Sequence, residues 1–283
     1  RGLQPGGEAF GTQVLGFGNQ TRPEGNFFIY LCSNKAREGD FEQHVRELSS
    51  AETVVINVDV ERGGHSHDLS TDHVTNQLVE MANRSACVGV LCTVPCSTWS
   101  AARMADNGGP EPLRNRNHPF GIPDANGVIP RHVEKANSIA TNAIKICKAA
   151  AKRGAHVIIE NPVSRGKGSQ FAIRGRELHS SLWDFPPMME FAESHGMQVT
   201  VFDQCRVGAS TQKTTQLLCS PSVHTYVNET LGPLICNHGP KEHAQLIGNA
   251  GSDGKFKTKA AEQFPSELNR TLAKAMLQPH TRS

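Results

Sequence analysis

The sequence predicts an α/β protein built on a doubly wound, mostly parallel sheet. Three observations point there. Apolar and often β-branched runs recur along the chain, as in "FFIYLC", "TVVINVDV", "ACVGVLCTV" and "AHVIIENP". Segments of helical periodicity separate them. Each run ends in polar or acidic residues, at the strand end where open sheets of this kind bind ligands.

Taken in order, residues 1–26 are rich in Gly, Gln and Pro, keep no period and are expected to be a flexible arm or linker. A strand is expected at 27–32, an amphipathic helix at 40–50 and a strand ending in an acid at 53–60. A helix capped by Thr-Asp follows at 71–84, and a third strand at 86–94. Residues 106–132 ("DNGGPEPLRNRNHPFGIPDANGVIPRH") are loaded with Gly, Pro and Asn. Irregular stretches longer than about 12–15 residues are often binding loops or lids. A long helix at 133–154 stops on Gly, and a fourth strand at 155–162 ends in Glu-Asn-Pro. The remainder reads as a helix ("PPMMEFAESHG"), two strands ("MQVTVFDQC" and "TTQLLCS"), a Cys/His-containing loop and a C-terminal helix ("SELNRTLAKAML").

The 283 residues suffice for a full core, arranged as one large domain or two small ones. With 29 Lys and Arg against 27 Asp and Glu, the net charge of +2 permits a nucleic-acid partner without arguing for one. No run of about 18 apolar residues could span a bilayer, and no secretory signal is recognisable, so no membrane partner is expected. The eight cysteines stand mostly inside apolar runs rather than at framework spacing. These features lead us to expect an intracellular protein with reduced thiols, not a secreted one. The chain opens on Arg1, as an excised domain or processed piece would.

Chemistry-bearing residues gather at strand ends. Leu31, Cys32 and Ser33 close the first run, Asp59 and Val60 the second, and Pro95-Cys96-Ser97 the third. Asp59 suits either a ribose-binding acid or a simple strand cap; the glycine-rich dinucleotide fingerprint is absent, with Ser33, Asn34 and Lys35 in its place. Cys96 is either a buried structural thiol or a nucleophile paired with the Glu160 carboxyl of the neighbouring run. Cys219, His224, Cys236, His238 and His243 offer thiolate and imidazole ligands, but without a CxxC or finger spacing. Zinc on Cys219, Cys236, His238 and His243 is therefore not favoured over a loop of polar histidines. A basic stretch at 165–179 suits either phosphate contact or ordinary solvated surface.

The order of these pieces resembles the cytosine-5 DNA methyltransferases over about residues 27–277. "VPCSTWS" is similar to that family's Pro-Pro-Cys-Gln-x-Phe-Ser nucleophile motif, and "VIIENP" to its Glu-Asn-Val strand. "FFIYLCSNKAREGDF" falls where the family has its Leu-Phe-Ser-Gly cofactor loop; "INVDVE" and "HDLS" fall at its two following acids, giving Asp59 and Asp68. "CRVGASTQKTTQLL" resembles its Tyr-Gly-x-Pro-Gln-Arg-x-Arg turn, with Gln212 or Lys213 and Thr215 or Gln216 in place of the two arginines.

The resemblance implies a class I, Rossmann-like, S-adenosylmethionine-dependent methyltransferase domain at 27–283, with target-binding loops near 163–182 and 207–255. Cys96 would be the nucleophile, with Glu160 and Lys213 as catalytic partners. Leu31, Cys32, Ser33, Asp59, Val60, Asp68 and Pro95 would hold the cofactor. Ser97, Trp99, Ser100, Arg103, Arg114, Arg116, Asn161 and Gln212 would meet the substrate, DNA in preference to RNA. An RNA methyltransferase and a catalytically degenerate binding module are the alternatives the departures leave open. Because the family also occurs within mobile-element and viral polyproteins, a nuclear or viral-replication setting is expected.

Overall fold

The computed structural model describes residues 25–49, 53–104, 111–239, 242–244, 249–250, 255–256 and 263–279. Nearly all of the expected 1–26 arm lies outside them, as do parts of the 106–132 stretch and of the 207–255 region. Among the described residues, six strands form one mixed sheet with seven α-helices around it.

The first strand, β1 (Phe27–Leu31), is buried on both faces, which is why it reads as an unbroken apolar run. Helix α1 (Phe41–Leu48) begins where the Asp40 carboxylate accepts the Gln43 N–H at 3.0 Å. Strand β2 (Val54–Val58) pairs parallel to β1 and runs into the single-turn α2 (Val60–Gly63), capped by Asp59. Helix α3 (Asp72–Ala82) leads to β3 (Cys87–Cys92), parallel to β1 on its other side. The long α4 (Arg131–Lys152) returns the chain to β4 (His156–Pro162), parallel to β3. Helix α5 (Pro186–Ser194) precedes β5 (Gln198–Asp203), and β6 (Thr214–Cys219) runs antiparallel between β4 and β5.

The resulting strand order is β2-β1-β3-β4-β6-β5. Strand side chains alternate between two cores. Phe27, Ile29 and Leu31 pack with Val74 and Leu78 of α3, Ile146 of α4 and Phe191 of α5. Phe28 and Tyr30 face Phe41 and Val45 of α1, together with α6 (Pro221–Leu231) and α7 (Ser266–Met276). A two-stranded ribbon, β7 (Asn249–Ala250) and β8 (Lys255–Phe256), completes the described elements.

Helix α6 corrects the sequence reading, which leaves 220–231 in a Cys/His loop. Pro221 occupies the first turn, and Val223, Val227 and Leu231 recur every four residues and are fully buried. His224 and the polar residues between those positions mask that stripe.

The topology places the crevice. From β1 the chain moves outward to β2, then crosses back to β3 on the opposite side of β1. Strand progression reverses between β1 and β3, and the carboxyl ends of those two strands are where such sheets bind ligands.

Candidate active site at the carboxyl edge of the sheet

Three segments meet at that edge. The first leaves β1 through Cys32 and Asn34, whose φ values of 57° and 58° lie in the left-handed region. A fingerprint would use glycines for such geometry; here two side-chain-bearing residues adopt it, and Asn tolerates it best. The turn is clamped by Thr93, whose hydroxyl donates to the Cys32 carbonyl at 2.7 Å, and by Cys32 N–H donating to Val58 at 2.8 Å. The Ser33 hydroxyl is buried in this turn with no hydrogen-bond partner among the described residues.

Asp59 joins the second segment to the first. One carboxylate oxygen accepts the Asn34 N–H at 2.9 Å and the other accepts the Glu61 N–H at 2.8 Å. The acid is both a cap and a bridge between strand ends. Beside it, Val60 is 50 % exposed. Asp68 is occupied differently: it accepts from the Ser70 N–H and hydroxyl and pairs with Lys135 of α4 at 2.8 Å. Burial works to raise its pKa, but the hydrogen bonds from Lys135 and Ser70, with the Lys135 charge, outweigh that and hold it below the usual range. Asp68 ties α4 to the 64–71 turn, so the expectation of a cofactor ligand there gives way to a strut.

The third segment carries the thiol. Cys96 lies four residues past β3 and is partly exposed, whereas Cys32, Cys87, Cys92, Cys147 and Cys219 are buried. Burial pushes the Cys87 thiol up to about 12 and Cys32 well above its ordinary value, so these thiols stay protonated at neutral pH. The backbone around Cys96 is fixed from several directions. Its carbonyl accepts the Trp99 N–H at 2.9 Å, and Arg103 donates to the Ser97 carbonyl at 2.8 Å. The Ser100 hydroxyl accepts the Ala102 N–H at 3.2 Å, opening a short helical turn. A cleft of about 140 Å³ runs beside this segment, lined by Val94, Pro95, Ser97, Thr98 and, from α4, His132, Ala136 and Ile139.

Strand β4 supplies two consecutive side chains that diverge. Glu160 lies on the α6–α7 side, where Lys213 reaches it at 3.1 Å; their side chains are only 5 % and 13 % exposed. The antiparallel pairing explains the meeting. Glu160 sits opposite Leu217, and 213, 215 and 217 share one face, so the long Lys213 side chain, from just before β6, reaches back along that face to the carboxyl. Lys213 also lies 5.9 Å from the Phe264 ring centre. Asn161 turns the other way and donates to the Val94 carbonyl at 2.7 Å, locking β4 to the Cys96 segment. Gln212, by contrast, is exposed.

Two expected substrate residues are structural instead. Trp99 is buried, packed edge-on against Phe185 with ring centres 5.0 Å apart, and the Arg114 guanidinium lies 3.5 Å over its ring. Arg114 is itself 3 % exposed. It donates to the Pro119 carbonyl at 2.8 Å, Asn137 at 2.7 Å and the Thr98 hydroxyl at 3.2 Å. Burial lowers its pKa to about 10. Neither group can reach a phosphate or a base without unpacking the loop. Arg103 serves the Ser97 carbonyl; Arg116 remains exposed at the rim, where its N–H donates to Leu178 at 3.1 Å.

His179 is a positioning residue that sequence reading passes over. Its Nε2 lies 2.9 Å from the Trp99 carbonyl and its Nδ1 3.1 Å from the Arg165 N–H, which sets one neutral tautomer. Burial lowers its pKa, in keeping with the neutral ring. One histidine in a basic stretch carries no local signal; the link spans 80 residues.

Sequence reading considers zinc on Cys219, Cys236, His238 and His243 without favouring it, and the structure groups a different set of residues. Cys219 is fully buried in β6, away from the other three, and Cys205 stands near Cys236, His238 and His243 instead.

No protein-family model and no curated protein matches the chain. Among solved structures it is weakly similar to an Entamoeba histolytica methyltransferase, EhMeth, with a TM-score of 0.32 and 11 % identity. That likeness covers 70 % of this chain and 53 % of the other, and the functional reading rests on the site rather than on it. No helix among the described residues is long and apolar enough to cross a membrane.

Proposed function

We propose that this chain methylates carbon 5 of cytosine in nucleic acid, DNA in preference to RNA, on a doubly wound, Rossmann-like domain. One observation carries the reading: Asn161 ties the end of β4 to the Val94 carbonyl of the segment that presents Cys96, and the residue before it, Glu160, holds Lys213 at 3.1 Å.

The residues at the β1–β3 crevice fit a nucleoside-containing methyl donor. Ser33 has a buried hydroxyl without a partner among the described residues, and each Asp59 oxygen accepts one N–H and keeps a lone pair for a ribose hydroxyl. Val60 offers apolar surface for a base ring. S-adenosylmethionine, when bound, supplies a methyl group on a sulfonium sulfur.

The remaining work belongs to the chain. The Cys96 thiolate adds to cytosine carbon 6, which makes carbon 5 nucleophilic toward that methyl. Glu160 takes up a proton as the base binds and gives it to ring nitrogen 3, drawing charge away from carbon 6, and Lys213 pairs the carboxylate before and after that transfer. Once carbon 5 has gained the methyl, water takes its proton, ring nitrogen 3 returns its proton to Glu160, and the carbon 6–sulfur bond breaks with its electron pair leaving on Cys96. The base must leave its stack to reach this edge. Arg116, Lys167 and Arg174 are exposed around the rim, beside Phe120, Ile173 and Leu178, and supply cationic and apolar surface for a nucleic-acid strand.

The test is covalent trapping. The protein is incubated with S-adenosylmethionine and oligonucleotides carrying 5-fluorocytosine, as DNA and as RNA, and its mass is measured. Fluorine blocks the final elimination, so the expected result is an adduct on Cys96 with DNA that disappears in Cys96→Ala. An adduct with RNA alone changes the polymer. No adduct with either, despite bound donor, overturns the reaction; no adduct and no donor binding leaves a binding module.

A further inference from the structure

A second group of reactive side chains lies on the same edge of the sheet, beyond β6. Cys205 follows β5 in a short helical turn, Gln204–Val207. Cys236, His238 and His243 come from the segment after α6. One ligand atom from each of the four residues lies within 4.8 Å of the other three. Cys236 Sγ is 3.5 Å from His238 Nδ1 and 3.5 Å from His243 Nε2.

Those distances match a tetrahedron around zinc. Bonds of about 2.3 Å to sulfur and 2.0–2.1 Å to nitrogen place a sulfur and a nitrogen ligand about 3.5–3.6 Å apart. Two thiols and two imidazoles form a ligand set that selects zinc over the hard cations. His238 and His243 are separated by four residues, within the H-x3–5-H spacing of structural zinc sites. Among the described residues, hydrogen bonds also join the contributing segments: the Cys236 N–H donates to Asp203 at 2.8 Å, the Asp203 N–H to Leu234 at 2.9 Å, the Ala244 N–H to Ser210 at 2.9 Å, and Arg206 to Asn237.

We propose that Cys205, Cys236, His238 and His243 form a structural zinc site that fastens the 234–244 segment to the turn leading into Lys213. The route to the active edge is short. Gln204, next to Cys205, donates its N–H to the Lys213 carbonyl at 3.1 Å and its side-chain amide to Thr215 at 2.9 Å. Asp203 accepts both the Cys236 N–H and, at 2.6 Å, the Thr214 hydroxyl. A metal there fixes the backbone from which Lys213 reaches Glu160.

The test uses the full chain purified without a histidine tag. Plasma mass spectrometry is expected to find about one zinc per chain, and X-ray absorption a first shell of two sulfurs and two nitrogens at the distances above. Cobalt(II) in place of zinc is expected to give the intense visible bands of a tetrahedral thiolate site. Cys205→Ser and His243→Ala are each expected to weaken zinc binding at least tenfold, while Cys219→Ser leaves it unchanged. A chain that stays metal-free when zinc is supplied, a shell of oxygen ligands, a Cys205–Cys236 disulfide in the purified protein, or full affinity in Cys205→Ser would overturn the proposal. If a variant fails to fold, absorption on the unaltered protein decides alone. None of these measurements involves methyl transfer, so the zinc site stands or falls separately from the proposed reaction.

Discussion

Lys213 holds its ammonium 3.1 Å from the Glu160 carboxylate, with both side chains largely withdrawn from solvent. Removing one partner of such a pair leaves the other as an uncompensated charge, whereas removing both does not. Lys213→Met is therefore expected to destabilise the protein by about 3 kcal/mol. The Glu160→Gln/Lys213→Met double variant is expected to recover more than about 1 kcal/mol relative to additive losses. Urea unfolding of the four proteins measures this, and additivity within about 0.5 kcal/mol would show the two groups to be uncoupled.

Asn161 tests the link between β4 and the thiol segment. Asn161→Ala leaves the buried Val94 carbonyl without its donor, an expected loss of about 1–3 kcal/mol. Asn161→Asp sets a carboxylate against that carbonyl and is expected to cost more. The same unfolding series measures both, and an unchanged midpoint in Asn161→Ala would remove the clamp from the account. Trapping at Cys96 is expected to slow in Asn161→Ala in proportion to the freedom the segment gains.

The Asp68–Lys135 pair gives a pH signature. The folded Asp68 pKa lies below its ordinary value of 3.8, so the unfolded chain takes up the proton first as the pH falls. The stabilisation is complete above about pH 4–5 and is lost as acid carries the solution through the folded value. Lys135 is half exposed, so Lys135→Gln is expected to cost only about 0.2–1 kcal/mol at pH 7. That difference should shrink toward zero as the pH falls through the folded Asp68 value. A penalty that persists unchanged in acid would place the Lys135 contribution elsewhere.

The left-handed turn after β1 predicts an order of substitutions. Asn34→Gly relieves the backbone and is expected to be near neutral, while Asn34→Ala keeps a Cβ in the left-handed region without the short polar side chain that lets Asn tolerate it, and is expected to cost about 1 kcal/mol. Thermal unfolding of the two variants tells them apart, and equal stabilities would count against the turn geometry.

Much of this arrangement can be read from the chain itself. The strands of the parallel half are continuous apolar runs because both faces are covered, and helices α1, α3, α4 and α7 carry their periodicity openly. Cys96, Glu160 and Asp59 stand at strand ends where a local pattern can place them. Helix α6 is masked by its histidine and polar positions, and β6 reads as a strand without revealing that it runs antiparallel. The roles of Trp99 and Arg114 are hidden for a different reason. An aromatic and an arginine in a loop look like a binding surface, and only the partners supplied by Phe185, Asn137 and Pro119 turn them into a packed core. Cys205 as a companion to Cys236 is likewise a matter of three dimensions, since 30 residues separate the two.

The reversed direction of β6 has a consequence for how such a protein can change over time. The chain leaves β4 at Pro162 and enters β6 at Thr214 on one side of the sheet, so the loops nearest the reacting groups are also those whose length the sheet does not dictate. Residues can be added between 163 and 181 without shifting the register of any strand, whereas the 204–213 turn is closed by the Gln204 N–H on the Lys213 carbonyl. The grip on a target can thus be rewritten repeatedly while Glu160 and Lys213 keep their separation: variation and constraint share one edge of the molecule, divided by a single turn of chain.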